Sequence, residues 1–80
     1  MTTKDEILAY ADYTQPDWQT ETSIFYLTKN GLGMYWPKYA VKPQYGSGWC
    51  QVYIRDSNPF KTLNGAIRYV ESYRKKWAKN

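Results

Sequence analysis

Eighty residues suffice for one small domain, near the lower size limit for a hydrophobic core without disulfides or bound metal. A single cysteine and no histidine exclude an intrachain disulfide and remove the commonest metal ligand and general base. No apolar run approaches the roughly 18 residues of a membrane span, and residues 1–11 lack a signal-peptide pattern, so we expect a cytoplasmic protein with no membrane contact.

Aromatic content and positive charge are the two unusual features of the composition. The chain contains nine Tyr and four Trp, and each aromatic side chain buries roughly 150 to 250 Å² when packed, so many are expected in the core. Residues 1–22 contain one basic and five acidic residues, whereas residues 23–80 contain ten basic and two acidic ones. The basic body favours a polyanionic partner, or an acidic segment that lies against it; a solvated charged surface is the plainer alternative.

The N-terminal segment predicts a short helix over Lys4 to Tyr13. Thr3 is placed to cap this helix, and Glu6 completes the pattern of a capping box. Pro16 cannot continue the helix. In the polar connector that follows, Trp18 is predicted to plug the edge of the core and not to bind a partner.

Two strands are predicted next, over Ser23 to Lys29 and Met34 to Val41, joined by a turn at Asn30 and Gly31. Pro37 lacks a backbone donor, which predicts an edge position for the second strand or a break after Trp36. Lys42 to Gly48 is predicted to be a loop.

The third strand, Trp49 to Asp56, has the clearest alternation. Cys50, Val52 and Ile54 are predicted to face the core, with Cys50 as a small buried apolar residue. The opposite, outward face is predicted to carry Trp49, Gln51, Tyr53 and Arg55.

After a turn, Phe60 returns to the core, and a helix over residues 62–78 with Thr62 as its cap is predicted to cover the sheet. Its apolar ridge is Leu63, Ala66, Ile67, Val70, either Tyr73 or Arg74, and Trp77. The predicted fold is a single α+β domain of residues 1–80, with an acidic helix and connector (1–22), a three-stranded antiparallel meander (23–56) and an amphipathic helix on one sheet face.

The residues with reactive side chains favour a binding module over an enzyme. Cys50 has no histidine to activate it, and the acidic residues show no spacing typical of a metal site, so no catalytic residue, metal or cofactor is predicted. The outward face combines aromatic, amide and cationic groups, which suits nucleic acid because bases offer flat faces and phosphates attract cations. Lys38, Lys42 and Lys61 are expected to flank it. The alternative is that the N-terminal helix covers this face and packs against Trp49 and Tyr53.

One stretch carries a family resemblance. Over about residues 46–70, a glycine and tryptophan begin a strand, the strand ends in Ile-Arg-Asp, and a Phe-x-Thr sequence leads into a helix (Gly48, Trp49, Ile54, Arg55, Asp56, Phe60, Thr62, Ala66, Tyr69). This pattern resembles the plant-type AP2 domain and the arm-binding domain of phage integrases. The resemblance implies a three-stranded sheet backed by one helix that reads DNA in the major groove through the exposed sheet face, with Trp49 and Arg55 in contact.

Two functions follow as hypotheses. The first is a small nucleic-acid-binding protein of phage or mobile-element type, with DNA favoured over RNA. The second is a protein-binding inhibitor or adaptor, for example a phage product that blocks a host enzyme, because Tyr, Trp and Arg dominate interface hot spots and an acidic segment can imitate phosphates. Capture from a bacterial lysate with and without nuclease would separate them.

Overall fold

A three-stranded antiparallel sheet with a helix on each face forms the α+β fold predicted from the sequence. The computed structural model describes residues 3–43, 48–52, 54 and 58–78. For residues 77 and 78 it describes the backbone alone. In chain order the elements are α1 (Lys4–Tyr10), a 3₁₀ turn (Pro16–Trp18), β1 (Ser23–Lys29), β2 (Tyr35–Val41), β3 (Cys50–Val52) and α2 (Leu63–Ala78). The strands lie in the order β1-β2-β3, with β2 in the centre. No helix in the described ranges is both long and apolar enough to cross a bilayer.

The face of the sheet beneath α2 holds the larger of two cores, as the apolar ridge of α2 predicts. Phe25 and Tyr39 stack with their ring centroids 4.3 Å apart, and Tyr73 of α2 meets Phe25 edge-on at 5.9 Å. Much of the aromatic content is therefore used in packing. The buried members of this core are Trp18, Phe25, Leu27, Tyr39, Ile54, Ala66 and Val70.

Trp18 fills the edge of this core, as predicted. Its side chain is 1% exposed, and its indole N–H donates to Oε1 of Glu71 at 2.7 Å. The other oxygen of Glu71 accepts from Arg74 at 2.9 Å, and Arg74 also donates to the carbonyl of Asp17 at 2.7 Å. These bonds fix the N-terminal connector to α2.

The opposite face of the sheet, which we call the outer face, is partly covered by α1. Ile7 of α1 is buried with Ile24, Tyr26 and Ala40 in the second core. Thr3 caps the helix by accepting from the backbone N–H of Glu6 at 3.2 Å. The sequence left two alternatives for this face, exposure to solvent or cover by the N-terminal helix. The structure shows that the helix lies on it and covers part of it.

The predicted extent of α1, to Tyr13, is wrong by three residues. The helix ends at Tyr10 because the next residues pair with the free edge of β1: Tyr13 and Leu27 exchange backbone hydrogen bonds of 3.2 and 2.8 Å. Asp12 extends this pairing, since its Oδ2 accepts from the backbone N–H of Lys29 at 2.6 Å. Residues 12–14 thereby cover an edge that would otherwise be open.

The hairpin between β1 and β2 is a five-residue loop organised by one side chain. Oδ1 of Asn30 accepts from the backbone N–H groups of Leu32 and Met34 at 2.9 and 3.0 Å. Gly33 has a φ of 79°, a backbone conformation that other residues rarely adopt. The turn predicted at Asn30 and Gly31 is therefore present, but the position that needs a glycine is Gly33.

The prediction that Pro37 breaks β2 or places it at an edge is wrong, because β2 is continuous and central. Leu27, its partner on β1, uses its own backbone groups to bind Tyr13, so the nitrogen of Pro37 points to the side of β3. There, Tyr39 pairs with Val52, and Tyr35 pairs with Phe60 through two bonds of 2.8 Å. Pro37 lies between these two pairings, where the missing donor interrupts neither.

The prediction that Cys50 is buried is also wrong. Cys50 is exposed, whereas Val52 is half-buried and Ile54 is 4% exposed. All three share the face beneath α2, but Cys50 pairs with Val41 at the far end of β3 and does not belong to the core. Alternation assigned the face correctly and could not show where the cover of α2 ends.

The start of α2 follows the prediction. Oγ1 of Thr62 accepts from the backbone N–H of Gly65 at 3.1 Å. A Cβ at Gly65 would lie only 3.1 Å from that oxygen, which explains a glycine in the first turn. The side chain of Trp77, predicted to lie in the core, is outside the described part of the chain. So are residues 53, 55 and 56 of the predicted third strand.

Candidate nucleic-acid interface

The register of the sheet determines which side chains share the outer face with α1. Residues directly opposite one another in an antiparallel pair point to the same side. Lys38 is opposite Tyr26, and Gln51 is opposite Ala40, while Tyr26 and Ala40 both belong to the core beneath α1. Lys38 and Gln51 therefore lie on the outer face, as does Trp36, two residues before Lys38.

Part of the outer face extends beyond α1, and we call it the uncovered strip. Tyr26 is fully buried under α1, but Gln51 is exposed and the rest of the strip is half-buried. The strip contains no acidic side chain, since none of the three strands has an Asp or Glu. Its members are Thr28, Trp36, Lys38 and Gln51.

Trp36 and Lys38 act as a pair within the strip. The Nζ atom of Lys38 lies 5.9 Å from the centroid of the Trp36 ring, within range of a cation–π contact worth roughly 0.5 to 1 kcal/mol at exposed sites. This contact holds an ammonium group beside an aromatic side chain. The pair can attract an anion while the indole contacts a flat apolar group next to it.

The sequence prediction missed two residues of the strip, Thr28 and Trp36. The expected break at Pro37 placed Trp36 at the end of a strand, outside the predicted binding face. The signal was nonetheless present, because Trp36, Lys38 and Ala40 alternate through the proline. Lys38, which was expected to flank the binding face, lies within β2 itself.

The remaining predicted site residues are distributed unevenly. Trp49 is half-buried and packs against the core beneath α1, so it is partly covered. Lys42 and Lys61 are exposed but lie near opposite ends of β2, roughly 20 Å apart by strand rise. The structure does not bring these two lysines together. Tyr53 and Arg55 lie outside the described residues.

The acidic N-terminal segment contacts the basic body at defined points. Asp12 accepts from the backbone of Lys29, and Asp17 lies 3.7 Å from the guanidinium of Arg74. The Asp17 contact lies at α2, on the other side of the sheet, whereas the Asp12 contact lies at the edge of β1 next to Thr28 of the strip. Neither carboxylate forms an ion pair with Lys38.

The buried hydroxyl of Tyr26 marks the boundary between the covered and uncovered parts of the outer face. Burial raises the pKa of Tyr26 above its usual value, and a 3.1 Å hydrogen bond with the hydroxyl of Tyr10 raises it further. The two rings meet edge-on at 5.8 Å. Tyr26 therefore stays neutral and serves to dock α1.

Groups suited to covalent or metal chemistry are sparse. Within the described ranges, no three His, Cys, Asp or Glu side chains converge as metal ligands would. Cys50 is exposed as a free thiol at the edge of the sheet. Comparisons with protein-family models, curated proteins and solved structures found no match to this chain.

Proposed function

We propose that the protein is a small, non-enzymatic nucleic-acid-binding protein that contacts its ligand through the uncovered strip. The observation that carries this proposal is the Trp36–Lys38 pair on an outer face whose strands have no acidic residue. Base faces stack on aromatic side chains, phosphates attract the neighbouring cation, and the amide of Gln51 can bond base edges. The positive body strengthens this attraction over a longer range.

The strip can contact a single strand more readily than it can enter the major groove of a duplex. A helix with its side chains is roughly 10 to 12 Å across, and the major groove is about 12 Å wide. Because α1 stands on the same face as the strip, it obstructs entry of the sheet into a groove. The groove contact implied by the AP2-like resemblance is therefore the less favoured mode, and single-stranded DNA is the proposed ligand.

The proposal is tested by a fluorescence anisotropy titration with single- and double-stranded oligonucleotides at low and moderate salt. We expect Lys38→Gln to weaken single-strand binding and to reduce the salt slope by about 0.7, the value for one phosphate contact on a single strand. Trp36→Ala removes the stacking surface, and loss of one stacked base costs about 1 to 3 kcal/mol.

Lys29→Gln is a matched control. Nζ of Lys29 lies 5.9 Å from the ring of Tyr35, the same arrangement as in the Trp36–Lys38 pair but on the opposite face of the sheet. Lys29→Gln removes the same charge and the same kind of contact. Equal losses in Lys29→Gln and Lys38→Gln, or native binding without salt dependence, would contradict a role for the strip.

The protein-binding alternative is less favoured because its two sequence arguments have structural explanations. Aromatic residues fill both cores, and the exposed large apolar side chains among the described residues are Tyr10, at 51%, and Leu32, at 85%. Two carboxylates of the acidic segment hold the connector and the edge of β1. A nuclease-resistant stoichiometric partner captured from lysate would favour this alternative.

A further inference from the structure

The solvent side of α2 is a row of exposed cations at helical spacing. Arg68, Lys75 and Lys76 are exposed, and Lys61 continues the row just before the helix begins. Between these cations lie the small polar residues Asn64 and Ser72, which are also exposed. The three cations within α2 extend over about 12 Å at 1.5 Å per residue. We call these cations, Lys61, Arg68, Lys75 and Lys76, the α2 row.

The charges of the α2 row are available to a partner. Both ion pairs formed among the described residues use Arg74, which Asp17 and Glu71 hold away from the row. Glu71 is the one acid in α2, and its two oxygens are occupied by Trp18 and Arg74. No carboxylate within the described residues therefore forms an ion pair with the row.

The chemistry of the α2 row fits a phosphate backbone better than a membrane or a base face. A helix that binds a lipid surface needs exposed apolar side chains beside its cations. None of the described apolar side chains of α2 is exposed, and Ala66 and Val70 are fully buried against the sheet. Among the described side chains of α2, the row offers cations and short polar groups, and no aromatic side chain is exposed. These groups bind phosphates without reading sequence.

The α2 row and the uncovered strip lie on opposite sides of the sheet, because α2 covers the inner face and α1 shares the outer one. A short nucleic-acid strand bound along the strip cannot reach the α2 row. We propose that the α2 row binds the phosphate backbone of a second nucleic-acid segment, so that one protein molecule bridges two segments. This inference rests on the proposed function of the strip.

The test is energy transfer between donor-labelled and acceptor-labelled homothymidine oligonucleotides, which cannot pair with each other. We expect native protein to bring the labels together at low protein-to-strand ratios and to separate them at excess, when each strand binds its own protein molecule. The variant R68Q/K75Q should lose energy transfer but keep salt-dependent binding of one oligonucleotide. The variant K4Q/K29Q removes the same charge outside both surfaces and should retain energy transfer.

The outcomes separate this inference from the function on which it rests. Native protein that binds one oligonucleotide but gives no energy transfer overturns the bridging inference alone. Energy transfer in R68Q/K75Q equal to that of K4Q/K29Q also overturns it, because bridging would then arise from self-association or from another surface. Absence of any oligonucleotide binding overturns both proposals. Circular dichroism melting of each variant confirms that it is folded before it is compared.

Discussion

The surroundings of two single residues, Trp18 and Cys50, depend on the position of α2, which comes later in the chain. Trp18 is the one large apolar side chain in a polar connector, which predicts that it packs at the edge of the core. It is 1% exposed, so the prediction is confirmed. Its bond to Glu71 joins residues 53 positions apart and was beyond local reasoning. Cys50 was assigned to the correct face but not to the correct degree of burial, which depends on where a distant helix ends.

Tyr26 gives a prediction for stability at high pH. Burial first, and then the bond to Tyr10, raise its pKa in the folded state. The contribution of the neutral Tyr26 hydroxyl to stability is complete below pH 10, because the pKa of tyrosine in the unfolded chain is about 10. That contribution falls as the pH rises from there toward the folded pKa, because the unfolded chain loses its proton first. We expect the urea midpoint to fall more steeply above pH 10 in native protein than in Tyr26→Phe.

Tyr10→Phe is the control for this pH effect. It removes the same hydroxyl–hydroxyl bond but leaves the hydroxyl of Tyr26 buried, so most of the pH dependence should remain. Identical pH profiles for native protein and Tyr26→Phe would show that Tyr26 does not contribute.

At the scale of elements, the predicted boundaries of helices and strands are correct where no long-range pairing competes with the local signals. β1 has the predicted bounds because its residues favour a strand and a turn follows. α1 ended early because residues 12–14 could pair with β1, a long-range competitor of helix formation. Pro37 is another case in which a long-range arrangement overrides a local signal. A proline fits a central strand where its nitrogen faces a gap between two backbone pairings, here Tyr39 with Val52 and Tyr35 with Phe60.

The pairing of the N-terminal segment with β1 predicts a specific pattern of amide hydrogen exchange. In Asp12→Ala, the amide of Lys29 loses its carboxylate acceptor and should exchange about tenfold faster or more, since hydrogen bonds to charged groups contribute roughly 1.5 to 3 kcal/mol. The amide of Leu27 bonds to the carbonyl of Tyr13 and should stay protected. Equal acceleration at both amides would mean that the whole segment detaches.

At the scale of the molecule, the sequence predicted the α+β class, the meander and the packing of the C-terminal helix, because each follows from periodicity. It did not determine which sheet face α1 covers. That choice depends on contacts between Ile7 and residues of two strands. The same choice determines the proposed binding surface, since α1 partly covers Trp49 and leaves Trp36, Lys38 and Gln51 outside the core beneath it. The proposed site was therefore only partly predictable.

The central claim, that nucleic acid binds on the uncovered strip, is tested most directly by the tryptophan indole N–H signals in ¹⁵N NMR. The signals are assigned with tryptophan-to-phenylalanine variants and followed during titration with a homothymidine oligonucleotide. We predict that the Trp36 signal shifts progressively, while the Trp18 signal, held by its bond to Glu71 in the core, stays in place. An unchanged Trp36 signal at saturation would contradict the account.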